Sequence, residues 1–155
     1  MFTLSSDRAK IKRVLGGDVG AFRVLVERYG GLVAGVAYAH LGNHAEAEDV
    51  VQETFFRLYQ KLNTVLCERS LGPWLVRVAR NVCFDLLRKQ GREREKLSAV
   101  AHEKSVRPNP ADEEMRRLLT EQLNTLEPDD REVLVLYYFQ KKRRGEIAAA
   151  LEISA

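Results

Sequence analysis

The sequence predicts an all-α protein: an N-terminal helical bundle joined by a linker to a small, incomplete C-terminal helical domain. Three observations predict it. Apolar residues recur at three- and four-residue steps along most of the chain, no run alternates with the period of two that marks strands, and glycine and proline punctuate only sparsely. A length of 155 residues with 45% hydrophobic and 30% charged side chains suits one ordinary folded domain or two small ones.

From Asp18, an N-cap by type, the residues Phe22, Leu25, Val26, Tyr29, Leu32, Val33, Val36 and Ala37 form one apolar stripe until Gly42-Asn43 stops it. Asn43 then caps a second helix, through about Leu62, with Ala47, Val50, Val51, Thr54, Phe55, Leu58 and Leu62 facing inward. A third helix begins at Gly72-Pro73, where proline suits the first turn, buries Leu75, Val78, Ala79, Val82 and Leu86, and runs out near Gly91. The polar stretch from Gln90 to Ala111 carries Pro108 and Pro110 and reads as a linker, which divides the chain into 1–92, a linker at 93–111, and 112–155. Beyond it, Met115, Leu118, Leu119, Gln122, Leu123 and Leu126 mark a helix. Pro128-Asp129-Asp130 opens the next, carrying Val133, Leu134, Leu136 and Tyr137, and a last one covers Gly145 to Leu151.

The 25 Lys and Arg exceed the 22 Asp and Glu by only three, so what the charges do depends on where they sit. Cys67 and Cys83 have no CxxC spacing and the three histidines do not cluster with them, so neither a zinc site nor a disulfide is expected. His40 and His44 straddle the Gly42-Asn43 break and share no helix face, and nothing near Cys67 supplies a nucleophile's base. No apolar run approaches a membrane span. The expectation is a cytoplasmic protein without cofactor or metal. A small hydrolase would need convergent carboxylates or a His, Cys and Asp constellation, and none is found, so no catalytic residue is expected.

Two surfaces are not explained by a core. Opposite the apolar stripe of the second helix, Asp49, Gln52, Glu53, Phe56 and Gln60 share a face, which places an aromatic ring among carboxylates that should meet solvent. It is either a solvated face with one stray ring or a docking surface for a basic partner, with Phe56 as the anchor. On the third helix, Trp74, Arg77, Asn81, Phe84 or Asp85, and Arg88 lie opposite the apolar stripe, with Arg80 to one side and Arg88-Lys89-Gln90-Gly91-Arg92 extending the basic character. Arginine neutralises phosphate, asparagine pairs with base edges and rings stack on unpaired bases, so the mixture suits single-stranded nucleic acid. The plainer alternative makes Trp74 a core residue at the helix start and the arginines complements to the helix dipole.

Gly17-Asp18-Val19-Gly20-Ala21-Phe22, then Asn43-His44-Ala45-Glu46-Ala47-Glu48-Asp49-Val50-Val51-Gln52-Glu53-Thr54-Phe55, then Trp74-Leu75-Val76-Arg77-Val78-Ala79-Arg80-Asn81 together resemble the extracytoplasmic-function sigma factors, of the sigma-70 family of RNA polymerase subunits. A weaker resemblance continues through Leu123 to Leu134 and Glu146 to Ser154, which look like the start of that family's C-terminal helix-turn-helix. The resemblance implies a fold of sigma region 2 at the N-terminus and region 4 at the C-terminus. It implies that Asp49, Gln52, Glu53 and Phe56 dock on core RNA polymerase. It further implies that the third helix and the loop before it engage the −10 promoter element and capture a base of the non-template strand. The DNA-binding residues would be Cys67, Glu68, Arg69 and Ser70 in the loop, with Trp74, Arg77, Arg80, Asn81, Arg88 and Lys89 on the helix. Family members are commonly held by an anti-sigma protein.

The chain also departs from that pattern. Val65, Cys67 and Leu71 stand where the family often has Phe, Gly and Phe, so the preferred base is not readable. Lys141-Lys142-Arg143-Arg144 replaces a more neutral segment, and Glu152 occupies a turn where the family usually has glycine. The sequence stops at Ala155, where the recognition helix would begin, so upstream-element binding by these residues is not expected; a fragment of a longer gene is the favoured reading over a naturally shortened protein. The alternative function is a truncated or degenerate sigma-like interaction module that binds polymerase or a regulatory partner without recognising promoters.

Overall fold

The computed structural model describes residues 4–66, 70–96, 118 and 121–153, and among them all regular structure is helical. In chain order the elements are α1 (Leu4–Leu15), α2 (Val19–Leu41), α3 (His44–Gln60), the short α4 (Leu62–Val65), α5 (Leu71–Lys96), α6 (Pro128–Leu134), a π-helical stretch (Val135–Phe139) and α7 (Arg144–Leu151).

The boundaries of the central helices follow from local hydrogen bonding. Asp18 Oδ1 accepts from the Ala21 backbone N–H at 3.1 Å and Asn43 Oδ1 from that of Glu46 at 3.2 Å, so each side chain satisfies a donor that its helix leaves unpaired. Gly42 closes α2 at φ 64°, a left-handed conformation that glycine adopts without a Cβ penalty. The apolar stripes then meet: Leu25, Val33 and Val36 of α2, Val50 and Leu58 of α3, and Leu75 and Ala79 of α5 are all buried in one core. Each large aliphatic side chain sealed in this way contributes about 1.5–3 kcal/mol relative to exposure.

The structure corrects three of the expected boundaries. Helix α1 precedes the first expected helix; Ile11 and Val14 pack it on the core, and Asp7 ties it to α2 by accepting hydrogen bonds from Arg28 and the Tyr29 hydroxyl. The second helix ends at Gln60 rather than near Leu62, which instead opens α4. Helix α5 runs through Gly91 to Lys96, four residues into the stretch expected as linker. A single glycine costs a helix only about 1 kcal/mol, and the flanking Arg, Glu and Lys are good helix formers.

The C-terminal helices do not stand apart. Leu136, Ile147, Ala150 and Leu151 join the same buried cluster as the N-terminal bundle. Leu136 lies over Gly35 of α2 so closely that a Cβ there would sit 2.6 Å from the leucine Cδ2, so any larger residue would force the leucine to shift. Arg131 donates to the carbonyls of Ala39 on α2 at 2.8 Å, Leu123 at 2.9 Å and Leu126 at 2.9 Å, fastening the start of the C-terminal unit to the end of α2. Of the expected Met115–Leu126 helix, residues 121–124 and 118 are helical, and the remainder before 121 lies outside the described residues.

Candidate polymerase and nucleic-acid surfaces

Two stripes of different chemistry face outward from neighbouring helices. Along α3, Asp49, Gln52, Phe56 and Gln60 are exposed and Glu53 is half-buried. Phe56 is 57% exposed, a large apolar ring held in water by its place on the helix face opposite Val50, Thr54 and Leu58. Glu53 accepts from Arg57 Nε at 2.7 Å, so part of its charge is balanced within the helix. The sequence reading missed Tyr59, which is 56% exposed and stacks edge-on against Phe22 with centroids 5.4 Å apart. Its position three residues after Phe56 was the available signal.

Along α5, Arg77, Asn81, Arg88 and Lys89 are exposed, and Phe84 is 42% exposed. At 100° per residue, positions 77, 81, 84 and 88 fall within a narrow sector of the helix surface. Arg88 makes a weak, exposed contact with Asp85 at 3.8 Å. Of the expected loop residues, Ser70 is half-buried, whereas Cys67, Glu68 and Arg69 lie outside the described residues.

Trp74 departs from the expected face. It is only 8% exposed, and the whole segment from Leu71 to Val76 is buried. Helix α5 starts inside the bundle, with Gly72 against Tyr29 and Leu32 of α2, so its first turns are covered on every side and the indole is core. The expectation that Trp74 stacks on a base is therefore corrected.

Arg80 is also differently engaged. Its guanidinium donates to both carboxylate oxygens of Glu132 on α6, Nε to Oε1 at 2.9 Å and Nη2 to Oε2 at 2.5 Å, and His40 Nε2 lies 2.6 Å from Oε1. The Glu132 side chain is fully buried. Burial raises its pKa, but the hydrogen bonds and charges of Arg80 and His40 outweigh this and hold the carboxyl below its ordinary value. The hydrogen bond to Glu132 in turn raises the Arg80 pKa. Nearby, burial and then the Glu132 charge push the Cys83 thiol up to about 12, which makes it a poor nucleophile. Sequence reasoning had no signal for this cluster, since His40 and Glu132 are 92 positions apart.

No group of three or more His, Cys, Asp or Glu side chains suited to a metal occurs among the described residues. No helix among them is long and apolar enough to cross a membrane.

With this geometry in place, the likeness to known proteins is specific. Residues 25–93 match the family description Sigma-70 region 2, and residues 116–155 match Sigma-70, region 4. The chain is 31% identical over 159 residues to the RNA polymerase sigma factor NccH of Alcaligenes xylosoxydans xylosoxydans, covering 97% of this chain and 86% of that protein. It is 37% identical over 83 residues to the ECF RNA polymerase sigma factor SigW of Bacillus subtilis, a match that spans 54% of this chain and 44% of SigW. The match to the ECF RNA polymerase sigma-E factor of Haemophilus influenzae likewise spans less than half of that protein, 46%. Among solved structures, CnrH in complex with the cytosolic domain of CnrY superimposes with a TM-score of 0.63 at 26% identity, covering 96% of this chain and 84% of that one.

Proposed function

Since this chain belongs to the extracytoplasmic-function sigma factors of the sigma-70 family, we propose that it binds core RNA polymerase, recognises the −10 promoter element and promotes DNA melting at the start of transcription. The observation that carries the proposal is the pairing of two exposed stripes on adjacent helices. One is acidic around Phe56 on α3; the other combines Arg77, Asn81, Phe84 and Arg88 on α5. Carboxylates steer a basic partner and the ring supplies the desolvated anchor, which suits a protein surface. Cations, an amide and a ring suit a separated DNA strand.

Melting on this reading needs no catalytic residue. Stacking and pocket contacts offset the few kcal/mol that each unstacked base costs, so the chain acts by binding and not as an enzyme. Its work is in the cytoplasm, beside polymerase and DNA, and a protein of the anti-sigma kind is a further partner. The test is to add the purified chain to core RNA polymerase and measure stable association and start-site-specific transcription. Association at physiological salt with a defined start site is expected, and its absence removes the proposal.

A further inference from the structure

Beside α7 the packing leaves a cavity of about 560 Å³, with Tyr29 and Leu32 of α2 and Pro73 of α5 on one side and the first turns of α7 on the other. Small-molecule sites have this size, about 300–1,000 Å³. The sequence explains the space, because Gly72, Gly145, Ala149 and Ala150 all line it and none carries a side chain larger than a methyl group. A Cβ built on Gly145 would meet nothing within 4 Å. The floor is apolar: Tyr29, Leu32, Pro73 and Ala150 are buried, and the Tyr29 hydroxyl is engaged by Asp7, so the tyrosine offers the space its ring. The rim is polar. Arg143 is exposed there and occupies the N-cap position of α7, where an accepting side chain would normally pair with a first-turn N–H. Arginine can only donate, and no side-chain cap bond is made. Glu146 on the same rim is already engaged, its Oε2 accepting from the Arg143 backbone N–H at 2.8 Å. Among the described residues the Arg143 guanidinium forms no ion pair, which leaves a cation at the mouth of an apolar hollow.

We propose that this cavity is a binding site for a small amphipathic monocarboxylate, whose apolar chain fills the space against Tyr29, Leu32 and Pro73 and whose head pairs with Arg143 at the rim. A planar guanidinium takes a carboxylate through two parallel N–H···O bonds, so the match is one of geometry as well as charge. The Glu146 carboxylate on the same rim disfavours a head of higher negative charge. The inference goes beyond the assignment of α3 and α5 to polymerase and DNA and does not depend on it, since neither exposed stripe contributes a lining residue. A ligand seated here touches α2, α5 and α7 at once, and by binding the folded chain it stabilises it.

The probe is octanoate, with 1-octanol as the same chain without the charge. Both are titrated calorimetrically into the full chain, and thermal unfolding is followed in parallel. Octanoate is expected to bind at a single saturable site and to raise the unfolding temperature. R143Q should weaken octanoate by about tenfold, as the loss of a hydrogen-bonded charge pair implies, and leave octanol within about twofold. A149L brings a larger side chain into the space from an exposed helix position, and should abolish binding of both while keeping the circular dichroism of the parent. The site is overturned by a parent chain that shows no saturable binding, by octanoate binding that R143Q leaves unchanged, or by binding that persists in A149L. Should A149L lose its helical signal, the titrations of the parent and of R143Q decide alone.

Discussion

Glu132 of α6 reaches across the fold to Arg80 of α5, 52 positions earlier in the chain, and its fully buried carboxylate is matched by a guanidinium that keeps 27% of its side-chain surface in solvent. The asymmetry decides how the pair behaves when broken. Arg80 exposed by separation is rehydrated at once, whereas Glu132 left in place without it would be an uncompensated buried charge. Breaking the pair in place is therefore costly mainly on the Glu132 side.

Acid should weaken the same contact. Because the Glu132 pKa is lowered in the folded state, its contribution is complete above the unfolded value of 4.5 and is lost as the pH falls through the folded one. Amide exchange of residues 128–151, corrected for the intrinsic pH dependence of the chemical step, should thus stay constant from about pH 7 to about pH 5 and rise only below the ordinary glutamate range. The acid limb should be absent in E132Q, which has no charge to lose. A rise beginning near neutrality would point to another group.

On α3, Phe56→Ala should weaken association with core RNA polymerase by about 30-fold, the scale of a roughly 2 kcal/mol anchor, while changing stability by less than about 0.5 kcal/mol because the ring packs on little. Asp49→Ala should lose less, and its effect should shrink as salt is added. Equal losses from the two variants at every salt concentration would contradict an aromatic anchor ringed by charges.

On α5, replacing Arg77, Asn81 and Arg88 together with alanine should abolish promoter opening yet leave polymerase binding within about twofold, since these exposed side chains belong to α5 and the acidic docking stripe to α3. Permanganate footprinting of a supercoiled promoter and a pull-down on core polymerase measure the two separately. Retained opening would remove these side chains from the melting step, and a parent chain that binds polymerase without opening DNA would favour the sigma-like interaction module.

What the sequence made legible depends on how local the physics is. The caps at Asp18 and Asn43 and the stripes of α2, α3 and α5 are decided by neighbours within one or two turns, and they appear in the structure as the spacing implied. The exposed stripe from Asp49 to Gln60 was readable for the same reason. Trp74 and Arg80 were not, because both were assigned by helical wheel. A wheel has no end: it cannot show that α5 begins inside the bundle, nor that a carboxylate from α6 will claim one edge of the face. Helix α1 was missed because, among its residues whose burial is described, the buried apolar ones are Ile11 and Val14, too few for a periodicity.

The burial of Trp74 separates two roles by measurement. If the indole is core, Trp74→Ala should destabilise the bundle by about 3–5 kcal/mol, and Trp74→Phe should keep strand affinity at near parental level once stability is restored. A base-stacking indole would instead lose about 1–3 kcal/mol of strand binding in the alanine variant at little cost to folding.

Glu152 gives the last prediction. It ends α7 in the left-handed region, φ 57° and ψ 38°, and its backbone N–H closes on the Ala148 carbonyl. An L-residue with a Cβ is held there at a cost of about 1–2 kcal/mol, which glycine avoids, although glycine gives back part of the gain through its freer unfolded chain. Glu152 also acts on Arg80 through its charge, so removing the carboxylate has an effect of its own. Comparing E152G with E152A cancels that effect, since both lack the charge and only one has the backbone freedom. The glycine variant should be more stable than the alanine variant by about 1 kcal/mol in urea unfolding. Equal stabilities would mean that the turn relaxes in solution, and α7 would then end one residue earlier than Leu151.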